Sequence, residues 1–446
     1  MTPSARLQAA IEILTELERT NAPADRFVRE WFRSRRYAGS KDRAAVGERV
    51  FQILRHRASL AWRMGSVTPR SLAIASVLSE LSSPVYGGGV DPGFVPGEAE
   101  GAAAIDALFC GGNYGAAPLT AEERARIALP PNESPPLSVT GEFPAWLEPE
   151  LARSLGDALL PEMQAMCGRA SIDLRANTLK ASREDVLRAL QEAGFAAGPT
   201  PFAPAGIRIA RDAKLSALSQ MAAFEAGWFE FQDEAAQIAS ALCAAKPGER
   251  ILDLAAGAGG KALALAAAMR NGGEIVACDI DDARLAQLGP RAARAGVHII
   301  ASHVSVGEPP AGPFDAVLVD APCSGTGTWR RQPELRWRLT REKLDALNTV
   351  QDKLLDQAAA RARGRLIYAT CSLLTCENED RIAAFVARHP EFCIRDAADV
   401  WRASSVAPLP CVARFFKASP LTAGTDGFFA AVMERTSSSS DREGGT

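Results

Sequence analysis

Residues 251–262 read ILDLAAGAGGKA, an apolar run followed by three glycines and a lysine. The apolar run predicts a buried strand, and the glycines predict a turn that opens a helix. Further apolar runs, separated by helical patterns, follow downstream: GEIVACD, VHIIAS, FDAVLVD and GRLIYAT. Alternating strands and helices are typical of a parallel sheet that is covered on both faces. Residues 226–436 are therefore predicted to form a doubly wound α/β domain.

Two other units are predicted upstream, because a chain of 446 residues is too long for one core. Residues 1–130 carry apolar residues at helical spacing, with arginines between them, and predict a helical domain. Within it, residues 83–101 are rich in glycine and proline and predict a loop. Residues 137–225 combine the strand-like SIDLRANTLK and AGIRIA with a helical segment, which predicts a small α+β module. The polar tail, residues 437–446, is predicted to be disordered.

Charge is unevenly distributed, although the formal net charge is only -3. A basic stretch of the N-terminal domain is compatible both with a solvated helical face and with binding of a polyanion. Its cations are Arg26, Arg29, Arg33, Arg35, Arg36, Lys41, Arg43, Arg49, Arg55, Arg57 and Arg63.

The nine cysteines are odd in number and form no CxxC pair, which predicts reduced thiols and no zinc site. No stretch reaches the roughly 20 uncharged apolar residues that a membrane helix requires. The N-terminus also lacks the apolar core of a signal peptide. We therefore expect a cytoplasmic monomer with no metal and no membrane partner.

The glycine loop predicts a nucleoside cofactor. A helix N-terminus offers free amides to a carboxylate or phosphate, but Ala262 stands where a phosphate-binding loop needs Ser or Thr. Asp279 ends the next strand, where a carboxylate suits the hydroxyls of a ribose. Its alternative role is to cap the following helix. This combination favours S-adenosylmethionine, and the predicted cofactor-binding residues are Ala255, Ala256, Gly257, Ala258, Gly259, Gly260, Lys261, Asp279 and Asp320.

Two cysteines follow strand ends, in DAPCSGTG (Cys323) and ATCS (Cys371). A single cysteine after a strand is usually a small buried hydrophobe. Here turn-forming polar residues flank each thiol, which argues against mere packing. Adjacent strand ends would bring both thiols to one crevice.

The segments that surround these motifs carry a family resemblance. FQDEAAQIAS, LDLAAGAGGKA, DAPCSGTG with RRQPELRW, YATCSLLTCENED and DGFFAAVM resemble motifs of the RsmB/Sun/Nop family of RNA cytosine-5 methyltransferases. RRYAGSKDRAAVGERVFQILRHR resembles the NusB-like helical domain that precedes the bacterial ribosomal-RNA members. The resemblance implies a Rossmann-like class I methyltransferase domain, a NusB-like RNA-binding domain at 1–130 and an RRM-like module at 137–225. It also implies RNA as partner, with ribosomal RNA preferred.

The resemblance also implies a catalytic role for the site residues. Carbon 5 of cytosine accepts a methyl group only after carbon 6 has been attacked covalently, and a thiolate suits that attack. Cys371 is implied as the attacking thiol, Asp320 as the residue that holds the base edge, and Cys323 as the residue that assists release. Lys261 either tunes a thiol or orients the base, or it is a helix N-terminal lysine that faces water.

Cations and an aromatic follow Cys323 closely, a mixture that suits phosphates and base stacking. The alternative interpretation is that this segment is an ordinary surface loop. The predicted RNA-binding residues are Arg330, Arg331, Arg336 and Trp337.

The sequence departs from the family pattern in places. Ala255 and Ala258 stand where members usually carry cysteine and proline. After the third strand the chain reads HVSVGEPP, which leaves only Glu308 near the adenine side of the cofactor. Three alternatives stay open: methylation of an exocyclic amine, a catalytically inactive RNA-binding scaffold, and transfer RNA as the substrate.

Overall fold

The computed structural model describes residues 1–82, 101–112, 114–129, 131–210, 213, 215–305, 307–404, 409 and 413–436. The predicted disordered tail lies outside these residues, as does the predicted loop apart from its last residue, Gly101. The described residues form two compact units. The helical unit comprises Met1–Pro149, Asp157–Cys167 and Trp329–Arg338, and the α/β unit comprises Glu150–Gly156, Gly168–Thr328 and the residues from Leu339 onward.

The helical unit is built from amphipathic helices around an apolar core. Thr2 begins the first helix by accepting a hydrogen bond from the Ala5 amide, a typical N-cap. Ile13, Val46 and Ile53 are fully buried at the centre of the core. Numbered along the chain, its helices are α1 (Pro3–Leu17), α2 (Ala24–Arg33), α3 (Ser40–Arg55), α4 (Arg57–Met64), α5 (Pro69–Ser82), α6 (Gly101–Leu108), α7 (Ala121–Ala128), α8 (Leu137–Thr140), α10 (Leu159–Ala165) and α18 (Pro333–Arg338).

A small antiparallel sheet opens the α/β unit and confirms the predicted α+β module. Its strands are β1 (Ile172–Ala176), β2 (Ala197–Pro199), β3 (Gly206–Ile209) and β4 (Phe229–Phe231), in the spatial order β2-β3-β1-β4. The sheet therefore extends past the predicted end at residue 225. Its helices are α9 (Glu148–Leu155), α11 (Arg183–Glu192), α12 (Leu215–Leu218) and α13 (Ala222–Glu225).

The large sheet confirms the predicted Rossmann-like core. Its strands are β5 (Arg250–Leu254), β6 (Glu274–Asp279), β7 (Ile300–Val304), β8 (Phe314–Asp320), β9 (Ala362–Thr370), β10 (Phe392–Arg395), β11 (Phe416–Ala418) and β12 (Phe428–Arg435). The spatial order is β10-β12-β9-β8-β5-β6-β7, and β11 also pairs with β12. Strands β5 to β9 pair in parallel, whereas β10, β11 and β12 pair antiparallel at one side. The sheet is therefore mixed, not wholly parallel.

Helices and apolar side chains cover both faces of this sheet. Ile251 packs in one core cluster and its neighbour Leu252 in another, as the alternation of a strand requires. The helices are α14 (Glu234–Ala241), α15 (Gly260–Ala268), α16 (Asp282–Leu285), α17 (Leu288–Ala295), α19 (Arg341–Ala359), α20 (Glu379–Arg388), α21 (Ala397–Ser404) and α22 (Pro420–Ala423). In the part of the chain that the structure describes, no helix combines the length and apolarity needed to cross a membrane.

Candidate active site

The site lies where β5, β8 and β9 end, at the carboxyl edge of the parallel strands. Strand β5 sits between β8 and β6, so the strand order continues away from it on both sides, to β9 on one side and to β7 on the other. Ligands of doubly wound sheets bind at such a switch point. Asp320 ends β8 and pairs in register with Ala369 of β9, one residue before that strand ends. The motifs singled out in the sequence therefore meet at one edge.

The two predicted thiols are in direct contact. The Sγ atoms of Cys323 and Cys371 are 3.4 Å apart, whereas a disulfide joins its sulfurs at about 2.05 Å. Both cysteines are free. Contact with Cys371, burial and the Glu377 carboxylate together raise the pKa of the Cys323 thiol well above its usual range. The expectation that both thiols share one crevice is confirmed.

Glu377, which the sequence analysis missed, holds the two cysteine loops together. Its buried carboxylate accepts hydrogen bonds from the Ser324 amide at 2.8 Å and from the side-chain amide of Gln351 at 3.1 Å. It also accepts from the hydroxyls of Ser324 and Ser372, the residues that follow the two thiols. A glutamate in the polar run TCENED reads as a surface residue, and no local signal marks it as buried.

Backbone contacts fix the same loops from a second side. Gly327 donates its amide to the carbonyl of Cys371 at 2.9 Å, and Gly427 donates to the carbonyl of Gly327 at 2.8 Å. A Cβ on Gly327 would lie 2.1 Å from the carbonyl oxygen of Gly427. Glycine is therefore required here by close approach of two backbones.

Lys261 lies inside the site. Its Nζ donates to Asp320 Oδ2 at 2.6 Å, and its side chain is only 11% exposed. Burial opposes the charged form, but the charge and the hydrogen bond of Asp320, together with the charge of Asp253, raise the pKa of Lys261. Cys371 is close enough for its charge to act in the same direction. The alternative of a lysine that faces water is wrong.

The glycine loop is tied to the end of β6 by Asp279. The Gly257 amide donates to Asp279 Oδ2 at 2.7 Å, and the Asp281 amide donates to Oδ1 at 2.8 Å. Asp281, not Asp279, caps α16, since its side chain accepts from the amide of Arg284. The capping alternative for Asp279 is therefore wrong.

The conformation of this loop fits a nucleoside cofactor with a carboxylate. Gly257 and Gly259 have φ of 56° and 78°, and even Ala255 has φ of 72°. Helix α15 begins at Gly260 and has no side-chain cap, so its first amides are available to an anion. A Cβ on Gly260 would meet only the end of one arginine, at 3.9 Å, which leaves room beside the loop.

Asp253, on β5 below the loop, is a second residue that the sequence analysis missed. It is fully buried, and neither carboxylate oxygen has a hydrogen-bond partner in the described residues. The amide of Ala262 favours the charged form slightly without meeting hydrogen-bond geometry. Burial raises the pKa of Asp253 to about 7, with a further contribution from Asp320.

Glu308, the acid that the sequence leaves near the adenine side, is engaged elsewhere. That carboxylate pairs with Arg361 at 2.7 Å, and its side chain is 79% exposed. Apolar residues instead follow or end the neighbouring strands: Ile280 is 81% exposed after β6, and Val304 is 40% exposed at the end of β7.

The residues predicted to bind RNA after Cys323 belong to the helical unit. Arg330 and Arg336 are buried, and Arg336 donates to the Arg55 carbonyl at 3.2 Å and stacks 4.7 Å from the ring centre of Trp329. Trp337 donates its indole N–H to the Leu54 carbonyl at 2.8 Å. A buried guanidinium cannot reach a phosphate, so the prediction for Arg330 and Arg336 is corrected. Arg331 and Trp337 are half-buried.

Comparisons with known proteins agree with this geometry. Residues 240–434 match the family described as 16S rRNA methyltransferase RsmB/F, and residues 143–216 match the ferredoxin-like domain of RsmF/B-like methyltransferases. The chain is 32% identical over 328 residues to the probable ribosomal RNA small subunit methyltransferase B of Synechocystis, covering 71% of each chain. It is 34% identical to the ribosomal RNA small subunit methyltransferase B of Citrobacter koseri, covering 56% of this chain and 58% of that relative.

Solved structures support the same fold. The crystal structure of PH0851 matches with a TM-score of 0.73 and 26% identity, over 98% of this chain and 99% of that one. The structure of NSun6 from Pyrococcus horikoshii matches with a TM-score of 0.57 and 20% identity, over 66% of this chain and 99% of that one. That crystal contains SFG, an analogue of S-adenosylmethionine.

The sheet, the glycine loop and these relationships define an S-adenosylmethionine-dependent methyltransferase. More narrowly, the chain belongs to the RsmB/F methyltransferase family. This confirms the family and the cofactor that the motifs predicted.

Proposed function

We propose that the protein methylates carbon 5 of a cytosine in RNA, with ribosomal RNA as the preferred substrate, through a covalent bond between Cys371 and the base. The observation that carries this proposal is the contact of two free thiols beside the Lys261–Asp320 pair. Methylation of an exocyclic amine needs no nucleophilic thiol, and no second thiol beside it. The named relatives that methylate small-subunit ribosomal RNA support the substrate.

The chemistry requires covalent attack because carbon 5 of cytosine is a poor nucleophile. The Cys371 thiolate adds to carbon 6, and the electron pair displaced from the ring makes carbon 5 nucleophilic. Bound S-adenosylmethionine supplies the methyl group that carbon 5 takes. Carbon 5 then loses its proton to a solvent water, the electron pair of that bond reforms the double bond, and the Cys371 sulfur leaves. The target base must be unstacked for the sulfur to reach carbon 6.

The charged neighbours of the thiols support Cys371 as the attacking sulfur. Negative charge on Cys371 interacts favourably with buried Lys261, whereas Glu377 disfavours negative charge on Cys323. A thiolate forms most readily beside a cation. Cys323 therefore stays a neutral thiol, able to donate its hydrogen to the Cys371 sulfur as that sulfur departs.

Asp320 is oriented by Lys261 and stays accessible to a base. Its carboxylate pairs with Lys261 but remains 33% exposed, so one face is open to a ligand. In this position it can accept a hydrogen bond from the amino edge of cytosine and favour a protonated ring. A protonated ring makes carbon 6 more electrophilic and so favours its attack by the Cys371 thiolate.

Cofactor binding follows the loop residues named from the sequence. The amides that open α15 would hold the carboxylate of S-adenosylmethionine, and Asp279 would take the ribose hydroxyls. Ile280 and Val304 offer exposed apolar surface to the adenine in place of an acid.

Analysis of the modified nucleoside tests the proposal. The purified protein is incubated with small-subunit ribosomal RNA and labelled S-adenosylmethionine, and the RNA is digested to nucleosides. We expect label in 5-methylcytidine. Label in an N-methylated nucleoside would support the exocyclic-amine alternative, and cofactor binding without any transfer would support the inactive scaffold. Bisulfite sequencing of RNA from cells that lack the protein would distinguish a lost ribosomal site from a lost transfer-RNA site.

A further inference from the structure

The structure sorts the cations of the basic N-terminal stretch into two groups. Most of them are engaged within the helical unit: Arg26 pairs with Glu30 at 2.8 Å, and Arg49 pairs with Glu80 at 2.9 Å. Those with a carboxylate or backbone carbonyl as partner in this way are Arg26, Arg29, Arg35, Arg43, Arg49, Arg55, Arg57 and Arg63. Those with neither kind of partner among the described residues are Arg33, Arg36 and Lys41.

The unpaired cations are close together in sequence and enclose an exposed aromatic residue. All of them are exposed and fall within residues 33–43, which comprise the end of α2, the turn after it and the start of α3, and which we call the cationic turn. Tyr37 lies in its middle, between Arg36 and Lys41, and is 69% exposed. Positive charge and an aromatic ring are therefore presented to solvent by the same turn.

A second exposed tyrosine faces the same groove. Tyr114 is 82% exposed, on a short loop that contains Gly111, Gly112 and Gly115. In the described part of the chain, Tyr37 and Tyr114 are the only aromatic side chains classed as exposed. Both line one groove of about 1060 Å³, whose other walls are residues 1–12, mostly of α1, and the end of α6 with the loop after it. Tyr37 is the residue of the cationic turn that lines the groove, and the cations lie beside it in sequence.

We propose that this groove binds a single-stranded segment of RNA. Bases stack on Tyr37 and Tyr114, and the phosphates that join them contact the cations of the turn. Aromatic platforms beside unpaired cations are the combination by which proteins hold single strands without reading sequence. A duplex is excluded because its bases are already stacked. This proposal rests on the proposed function, since it assumes that the protein's substrate is RNA.

Charge complementarity points to RNA and not to a protein partner. Within the cationic turn, Arg35 pairs with Glu16, which leaves Arg33, Arg36 and Lys41 without an ion pair to a described carboxylate. The groove carries one acidic side chain, Glu12, which accepts a hydrogen bond from Gln8 at 3.0 Å. An anionic backbone can lie along the turn while the bases, which are uncharged, occupy the groove beside Glu12.

Binding of a fluorescent oligouridylate to the full chain tests the stacking. Tyr37→Ala and Tyr114→Ala should each weaken binding by roughly 5- to 100-fold, as loss of base stacking does elsewhere. Tyr37→Phe and Tyr114→Phe keep the ring and should bind within about twofold of the wild type. The matched control is Leu129→Ala, which removes a 71% exposed side chain from the same unit. A duplex of the same length should be insensitive to all of these changes.

The salt dependence of the same binding tests the cations. The double variant Arg36→Gln with Lys41→Gln should lower the slope of log affinity against log salt by about 0.7 for each charge removed. Arg26→Gln removes an exposed cation that is already paired, and it should leave the slope unchanged. Two results would overturn the proposal. One is that the tyrosine-to-alanine variants bind as tightly as the wild type, and the other is that the double variant and Arg26→Gln show the same slope of log affinity against log salt.

The two proposals fail separately. If the wild type forms no 5-methylcytidine but the tyrosine variants lose affinity for the oligouridylate, the groove stands and the proposed reaction falls. If the wild type forms 5-methylcytidine and the tyrosine variants keep full affinity, the reaction stands and the groove falls.

Discussion

The loops of Cys323 and Cys371 are alike in sequence and differ in their charged neighbours. Each thiol follows a strand end and precedes a serine, and both serines donate to Glu377. Yet Lys261 acts on Cys371, whereas Glu377 acts on Cys323. Two identical functional groups 3.4 Å apart thus have different charged neighbours. Residue type alone could not have separated an attacking thiol from a neutral one.

The largest effect is expected when Cys371, the thiol proposed to attack the base, is removed. Cys371→Ala should lower methyl transfer by about 10⁴-fold or more, because the covalent route is lost while the competing routes are slow. Cofactor affinity, measured by titration calorimetry, should stay within about twofold, since the loop amides and Asp279 are untouched. Transfer at a rate near that of the wild type would contradict the assignment.

Removal of the second thiol should give a different defect. Cys323→Ala should lower turnover by about 10²- to 10³-fold, because release loses its proton donor while attack persists. With labelled RNA on a denaturing gel, this variant should therefore accumulate a protein–RNA adduct, and the double variant with Cys371→Ala should accumulate none. An adduct that forms only when Cys323 is present would reverse the two roles.

The carboxylate that joins the loops can be tested through stability. Glu377→Ala leaves the Ser324 amide without its acceptor and removes one of the two acceptors of the Gln351 side chain, and it should lower the free energy of unfolding by about 3 kcal/mol. Glu377→Gln keeps one acceptor oxygen and should recover part of that loss. Glu308→Ala, at an exposed ion pair, should change stability by less than about 1 kcal/mol in the same urea titration. Equal losses at 377 and 308 would show that Glu377 does not hold the loops.

The smallest effect is expected from the buried acid below the glycine loop. Burial raises the pKa of Asp253 to about 7, so the folded state binds a proton that the unfolded state has released above about pH 4. Stability should therefore fall as the pH rises from about 4 to 7. Asp253→Asn should remove this part of the pH dependence and be more stable than the wild type at pH 8, on the order of 1–3 kcal/mol. A variant that matches the wild type at pH 4 and at pH 8 would show that Asp253 is not protonated in the fold.

Much of the catalytic domain was predictable because its signals are local. Apolar runs that end in glycine or a polar turn gave β5, β6, β8 and β9, and the edge at which they end follows from parallel pairing. The small antiparallel sheet was also predicted, although β4 lies beyond the predicted end. The antiparallel side of the large sheet was not predicted, because β10 and β11 are only four and three residues long and because the apolar pattern of β12 does not reveal its direction beside β9.

What the sequence could not show depends on distant contacts. Glu377 and Arg336 both lie in polar stretches of the sequence, yet both are fully buried in the structure. Glu377 is buried between the two loops that it joins. Arg336 is buried where it donates a hydrogen bond to the carbonyl of Arg55, 281 residues away in the chain. A pattern of cations around a tryptophan predicts RNA binding and buried packing equally well, and only the fold distinguishes them.

The central claim is that Cys371 and not Cys323 bonds to the base, and a trapped adduct tests it most directly. Ribosomal RNA that contains 5-fluorocytidine accepts the attack and the methyl group but has no proton at carbon 5 to lose, so the adduct persists. Peptide mapping of the wild-type adduct should place the nucleotide on the peptide that contains Cys371. A nucleotide on the peptide that contains Cys323, or no adduct under conditions in which normal RNA is methylated, would contradict the claim.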